Sequence, residues 1–337
     1  MSAVPTTLAS GRALVDPAMA DAIDRLDDHT RSVVSYHLGW QDTQGHPVSA
    51  PEGKAVRPAL ALMSARAAGA DPGVGLPGAV AVELVHNFSL LHDDVMDHDL
   101  ERRHRATVWS IWGESTAILA GDALLSLAHE VLLESPSPHT IEANRVLAAA
   151  TRELVRGQVD DLDFERRHRV SVGECLDMAA GKTGALLSAS ASIGAVLGGA
   201  PSPVVEALST YGAQLGLAFQ LVDDLLGIWG DPEVTGKPVL SDLRTRKKSL
   251  PIVSALRAGT PESQRLADLL KTSGDLSEED LRLAAKLVED AGGRAWCEAE
   301  AARQLDAAHD GLGEAGVPGP IITEFMEIAQ FVTSRDR

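Results

Sequence analysis

Three carboxylates crowd into six residues, His92-Asp93-Asp94-Val95-Met96-Asp97. They end an apolar run over 79–98 whose spacing predicts a helix. Asp93 and Asp97 are four apart, so they leave one helix face, and His86 lies two turns earlier on it. Acids this close repel one another unless a cation or water relieves them. Oxygen-only ligands suit magnesium, which keeps several waters and is completed by substrate phosphates. A solvated acidic helix end is the plainer alternative. Against it, Leu84, Val85, Phe88, Leu90 and Leu91 make the helix mostly buried, where unpaired acids are costly. Downstream come Glu101 and then Arg102-Arg103-His104-Arg105, whose paired guanidinium groups can grip a metal-bridged polyphosphate in bidentate fashion.

A second acid pair stands in Gln220-Leu221-Val222-Asp223-Asp224-Leu225-Leu226-Gly227, on a helix expected over 204–229. Gln220 shares a face with Asp223 or Asp224, and Gly212 and Gly216 would admit a close neighbouring helix. Lys237, Arg244, Arg246, Lys247 and Lys248 follow, with Asp231 and Asp242 among them. Five cations in twelve residues, in a chain of net charge −18, weigh against an ordinary surface loop. Gly53-Lys54-Ala55-Val56-Arg57-Pro58 places two cations by a helix start, a small anion site. Gly181-Lys182-Thr183-Gly184 sets a lysine and a hydroxyl between flexible glycines, without the leading glycine of a nucleotide-binding loop. Together these imply two polyanionic groups in one apolar helical cavity, one metal-bridged and one held mainly by cations.

The elements that must position these groups read as helices. Aromatics are 4% of 337 residues, and Ala, Leu, Glu and Arg dominate. Turn chemistry cuts the chain at 42–53, 70–78, 134–139, 198–203, 230–238, 258–262, 272–278 and 310–320, leaving about a dozen helices and no strand. No interior linker separates two domains, so 1–337 reads as one all-α domain. The acidic charge disfavours nucleic acid and anionic lipid. Two cysteines, Cys175 and Cys297, form no disulfide framework or zinc site. Residues 1–20 lack a signal-peptide pattern. The longest weakly polar run, 184–200, is broken by Ser188, Ser190 and Ser192, which suggests close helix packing rather than a membrane span. A cytoplasmic protein is expected. Asp99–Arg105 is echoed by Asp163–Arg169, but the flanks differ and no repeat follows.

Taken in order, the series resembles the trans-polyprenyl diphosphate synthase family, most like a geranylgeranyl diphosphate synthase. It comprises Gly53-Lys54-x-x-Arg57-Pro58, His86, Asp93-Asp94-x-x-Asp97 with Arg102-Arg103, Gln158-x-x-Asp161, Lys182-Thr183, Phe219-Gln220-x-x-Asp223-Asp224, Gly236-Lys237 and Lys247, a core of about 50–255. The resemblance implies an isoprenoid-synthase helical bundle around a central cavity, usually a homodimer. It implies Mg2+ on Asp93, Asp97 and Asp223, with Asp94 and Asp224 as further candidates. An allylic diphosphate would be held by Arg102, Lys182, Lys237 and Lys247. Isopentenyl diphosphate would be held by Lys54, Arg57, His86 and Arg103, with Thr183, Gln220 and Asp161 near the reacting carbons. The implied reaction ionises the allylic C–O bond and adds isopentenyl diphosphate to the cation.

One departure is Gly227, where the family has a third aspartate; with Asp223 retained, Gly227→Asp is expected to be tolerated. In the family, residues four and five before the first aspartate form the floor of the chain pocket. Phe88 beside the small Ser89 goes with geranylgeranyl products. The alternatives are a farnesyl diphosphate synthase, a class I terpene cyclase and a non-catalytic partner of a prenyl synthase. The cyclase has no use for a second anion site, and neither Asn87 nor Asn144 begins its second metal motif.

Overall fold

The structure is a computed structural model that describes residues 5–48, 53–167, 169–231, 239–272 and 274–334. The chain opens with α1 (Thr6–Ile23), α2 (Asp28–His37) and α3 (Val56–Ala67). A 3-10 turn, Pro72–Gly75, leads into α4 (Leu76–Met96). Two short antiparallel strands follow, β1 (Glu101–Arg102) and β2 (Arg105–Ala106), then α5 (Val108–Trp112), α6 (Glu114–Leu133) and α7 (Thr140–Arg166). The helix α8 (Val172–Ala179) runs through a π turn, Ala180–Gly184, into α9 (Ala185–Leu197). The long α10 (Ser202–Trp229), the short α11 (Ser241–Arg244) and α12 (Leu250–Arg257) complete the motif-bearing part. Beyond it lie α13 (Pro261–Leu270), α14 (Glu278–Asp290), α15 (Gly293–Glu314) and α16 (Gly319–Thr333).

The centre is built from helices buried on nearly every side. Pro58 to Ala65 of α3 are all buried, as are Ala189 to Leu197 of α9. Small residues make this possible: a Cβ on Gly194 of α9 would lie 2.0 Å from the Ala61 carbonyl oxygen of α3. The hydroxyls of Ser190 and Ser192 donate to the Leu186 and Ser188 carbonyls of their own helix, so this polar run is satisfied inside the core. Two other stretches, 72–96 and α6, are long and apolar enough to cross a membrane by length and composition. Two thirds of the first window is buried against neighbouring helices.

Helix ends follow the sequence chemistry. Ser277 and Asp280 form a capping box on α14, and Ser171 with Glu174 forms another on α8. Pro203 sits in the first turn of α10, where its missing N–H is harmless. One expectation is corrected: the chain does contain strands, in the hairpin after α4, while Gly181 and Gly184, read as flexible, lie in the π turn. The echoed segments also part ways: the first forms the hairpin, whereas the second finishes α7.

Candidate functional site

The first acid cluster closes α4. Asp93, on a helix face otherwise sunk in the core, is pushed up to about 6 by burial, with Lys182 and Arg102 opposing and Asp97 and Asp161 adding. Asp97 caps the helix and is also raised, by burial first; Lys182 and Lys247 oppose and Asp161 adds. Asp93 and Asp97 therefore share the field of Lys182 and Asp161. Asp94 is different. It is 2% exposed, its Oδ1 accepts from Arg102 Nε at 2.7 Å, and its Oδ2 has no hydrogen-bond donor.

The hairpin distributes the arginines. Arg103 and His104 both have positive φ, 52° and 61°, the pattern of a two-residue primed turn between β1 and β2. Arg102 is thereby returned to Asp94. Arg103 is sent the other way: a Cβ on Gly53 would meet its guanidinium at 2.9 Å. Arg105 stacks on the Tyr36 ring at 4.1 Å and donates to the Tyr36 and Gln41 carbonyls, tying the hairpin to α2 and the loop after it. Thr107 Oγ1 and Trp109 Nε1 fasten the loop after α4 by donating to the Asp99 carbonyl, each at 2.8 Å.

Around Gly53 a second corner gathers cations. Lys54 lies over the Phe331 ring at 4.7 Å, and Arg57 stands in the first turn of α3 with its buried Nε unbonded. Arg12, from α1, donates to the Gly53 carbonyl. Glu83 is the acid here; burial raises its carboxyl, and Arg57, Arg103 and Arg12 oppose. Asn87 donates to Glu83 Oε1 at 3.3 Å. His86 is held well below its ordinary value by burial and by Arg57, Arg103 and Arg102, so its ring is neutral. His37 is lowered to about 3 by burial and by Arg102, Arg103 and Arg105.

The π turn forms the facing wall. Lys182 Nζ donates to Asp161 Oδ2 of α7 at 2.6 Å. Thr183 Oγ1 donates to Gln220 Oε1 at 2.8 Å, Gln220 Nε2 donates to Asp224 Oδ1 at 2.9 Å, and Asp224 Oδ2 accepts from the Leu250 N–H at 2.8 Å. One relay thus joins the π turn, α10 and the start of α12. It needs glycines: a Cβ on Gly157 would lie 2.1 Å from Lys182 N, and one on Gly216 would lie 2.5 Å from Gly184 Cα. Gln158, 5% exposed on α7, has no partner for either end of its amide.

At the end of α10, Asp223 adds to the field around Arg57, and Asp224 is pushed up to about 6 by burial, opposed by Lys247. Burial lowers the Lys247 ammonium, but Asp224, Asp242, Asp161 and Asp97 outweigh it and raise it. Lys237 lies outside the described residues. A Cβ at Gly227 would stand 2.5 Å from Cγ of Asp242, so Gly227→Asp requires that side chain to turn aside.

The structure thus brings Asp93, Asp97, Asp161, Lys182 and Lys247 into one field, and Arg57, His86 and Arg103 into another, with Lys54 over the Phe331 ring. Asp94 and Asp224 are committed to Arg102, Gln220 and the α12 start. Among the described residues no three acid, histidine or cysteine side chains close on one point at ligand distance. Phe88 and Ser89 are both buried; Phe88 stacks edge-on against His92 at 4.8 Å, and Ser89 Oγ donates to the His86 carbonyl. Arg12 and Glu83 were missed by the sequence reading. Glu83 precedes His86 by three residues on the same face, a spacing that could have found it.

Cationic side chains thus stand beside two acid clusters at the ends of α4 and α10. The polyprenyl synthetase family model matches residues 42–288. The (2E,6E)-farnesyl diphosphate synthase of Mycobacterium tuberculosis is 54% identical over 325 residues, 96% of this chain and 90% of that protein. A geranylgeranyl diphosphate synthase of the same organism is 40% identical, covering 100% of this chain and 97% of that one. The crystal structure of a polyprenyl synthetase from Streptomyces coelicolor superposes with a TM-score of 0.93 at 53% identity, covering 98% and 99% of the two chains. The chain belongs to the polyprenyl synthetase family, with its all-α isoprenoid-synthase fold, and is a trans-prenyltransferase.

Proposed function

We propose that the protein condenses isopentenyl diphosphate with an allylic diphosphate, in a magnesium-dependent reaction that ends at geranylgeranyl diphosphate. The observation that supports the two-substrate reading is the hairpin, in which Arg102 bonds to Asp94 while the Arg103 guanidinium lies against Gly53. Arg103, with Lys54, Arg57 and the neutral His86, receives isopentenyl diphosphate. Arg102, Lys182 and Lys247 receive the allylic diphosphate, with Lys237 as a further candidate.

The donor set fits a divalent cation. Asp93 and Asp97 are carboxylates whose charged forms burial and mutual repulsion disfavour, and a cation supplies the missing counter-charge. Asp93 and Asp97 on one side and Asp223 on the other would hold magnesium ions, with Asp94 and Asp224 serving as supports for Arg102 and Gln220. Bound there, magnesium draws charge onto the leaving diphosphate. Lys182, kept in place by Asp161, neutralises the same group. Thr183 and Gln220, locked to each other, present fixed dipoles near the reacting carbons. No side-chain nucleophile is needed, and the two thiols are unsuited to be one: burial pushes Cys175 up to about 12 and raises Cys297 too.

Ser89 supports the longer product. It is a small residue four before Asp93 on the same face, and Phe88 stacks edge-on against His92. A farnesyl end product is the second reading, favoured by the relative at 54% identity. Product length from labelled isopentenyl diphosphate, in wild type and Ser89→Phe, decides. Geranylgeranyl in the first and farnesyl in the second support the proposal; farnesyl from both overturns the product assignment.

The functional unit is proposed to be a homodimer of one all-α domain acting in the cytoplasm. Ile118, Leu119 and Leu133 of α6 and Ile141, Val155 and Val159 of α7 are exposed, an apolar surface that a second copy would cover.

A further inference from the structure

The hydrogen bonds that run from Thr183 to the start of α12 have a direction, and it is set at the far end. Leu250 is the first residue of α12, and Ser249 before it supplies no side-chain cap. A backbone N–H can only donate, so whatever faces the Leu250 N–H must accept. Asp224, 5% exposed, places Oδ2 there at 2.8 Å. Its Oδ1 is an acceptor too, so Gln220 turns its Nε2 amino group to it, at 2.9 Å. The Gln220 carbonyl oxygen is then left facing the π turn, where it takes the Thr183 proton at 2.8 Å.

A hydroxyl has one proton and two lone pairs. With its proton committed to Gln220, Thr183 has only lone pairs left for any other group it meets. It stands beside Lys182 in the π turn and is 8% exposed. Lone pairs held in place favour a developing positive charge, whereas an O–H turned towards that charge opposes it. Each link follows from the one before, back to an N–H that cannot turn round.

We propose that Asp224 sets the polarity of this relay, so that Thr183 Oγ offers lone pairs rather than its proton to the allylic cation. This rests on the function proposed above, which puts Thr183 near the reacting carbons. Thr183 is the group that touches substrate, and Asp224 is a positioning residue acting through Gln220.

The test is Asp224→Asn, which has one accepting end and one donating end where the carboxylate has two accepting ends. Leu250 takes the oxygen, so the amino end faces Gln220, turns that amide over and makes it donate to Thr183. The Thr183 proton is then free to point at the substrate. The kcat of condensation is expected to fall about 100-fold, with both KM values within about threefold of wild type. Calorimetric titration with inorganic pyrophosphate and magnesium is expected to match wild type. Adding Gln220→Glu to Asp224→Asn puts acceptors at both ends of position 220, restores the direction and is expected to bring kcat back to within about tenfold. With the hydroxyl removed by Thr183→Val, Asp224→Asn is expected to cost no more than about threefold further. That comparison decides the matter where the double exchange fails to fold. An Asp224→Asn protein with wild-type kcat overturns the proposal, as does a loss that Gln220→Glu leaves unrecovered in folded protein, or one that is as large without the hydroxyl. Pyrophosphate binding weakened only when magnesium is present overturns it too, by making Asp224 a metal ligand. A wild type that binds pyrophosphate with magnesium but never condenses isopentenyl diphosphate overturns the functional reading instead.

Discussion

Replacing Gly157 by alanine tests whether the π turn is held where Lys182 and Thr183 need it. The added Cβ would lie 2.1 Å from Lys182 N and 2.8 Å from both Gly181 C and Lys182 Cα. All three are backbone atoms and cannot rotate aside, so α7 and the π turn must part by about 1 Å to restore ordinary contact. Overpacking of this kind costs about 1–3 kcal/mol, against a gain of about 1 kcal/mol in helix propensity. A net loss near 1 kcal/mol lowers the melting temperature by only about 1–2 °C in a chain of this length. The effect on turnover is larger, because a 1 Å misplacement of reacting groups costs about 100-fold. Calorimetric melting and steady-state kcat measure the two together. Gly311→Ala in α15 is the control: nothing lies within 4 Å of its new Cβ, so it is expected to stabilise by about 0.4–1 kcal/mol and leave kcat unchanged. A Gly157→Ala protein that melts no lower than wild type and turns over within about threefold of it would refute the reasoning.

Four further outcomes are expected. Asp93→Ala abolishes nearly all condensation while the metal-free protein melts no lower, since a buried acid among acids is removed; retained turnover at saturating magnesium contradicts the ligand role. Arg103→Ala raises KM for isopentenyl diphosphate at least about tenfold and leaves the allylic KM nearly unchanged; equal rises in both would show the corners are not separate. Phe88→Ala lengthens the main product, read by chromatography of the dephosphorylated alcohols. His37, ordinarily 6.5 and held at about 3 by burial and the arginines, stays neutral in the fold but gains a proton when unfolded. Its stability contribution is full above 6.5 and is lost as pH falls towards 3, about 2 kcal/mol by pH 5; His37→Asn should flatten that slope in chemical denaturation, and an unchanged slope would place its origin elsewhere.

Local chemistry made much of this legible. Helix-forming composition and turn clusters foretold the all-α bundle; spacing put Asp93 and Asp97 on one face and Gln220 on a face with Asp223 or Asp224, and the hydrogen bond selects Asp224. What stayed hidden depends on contacts between distant segments. Arg103 and His104 carry no glycine or asparagine to announce a primed turn, so the hairpin left no trace in the sequence. Gly181 and Gly184 read as loop glycines because the partners that make them helical, Gly157 and Gly216, lie on other helices. Arg12 reaches Gly53 from 41 residues upstream, and Asp242 meets Gly227 from the far side of a turn; neither spacing is periodic.

The decisive measurement is incorporation of labelled isopentenyl diphosphate into dimethylallyl, geranyl and farnesyl diphosphates by the purified protein, with magnesium present or chelated. Extension of the allylic starters to a twenty-carbon diphosphate, lost on chelation and lost in Asp93→Ala, is the expected result. No extension of any starter at saturating magnesium, by protein that is folded and binds pyrophosphate, would contradict it.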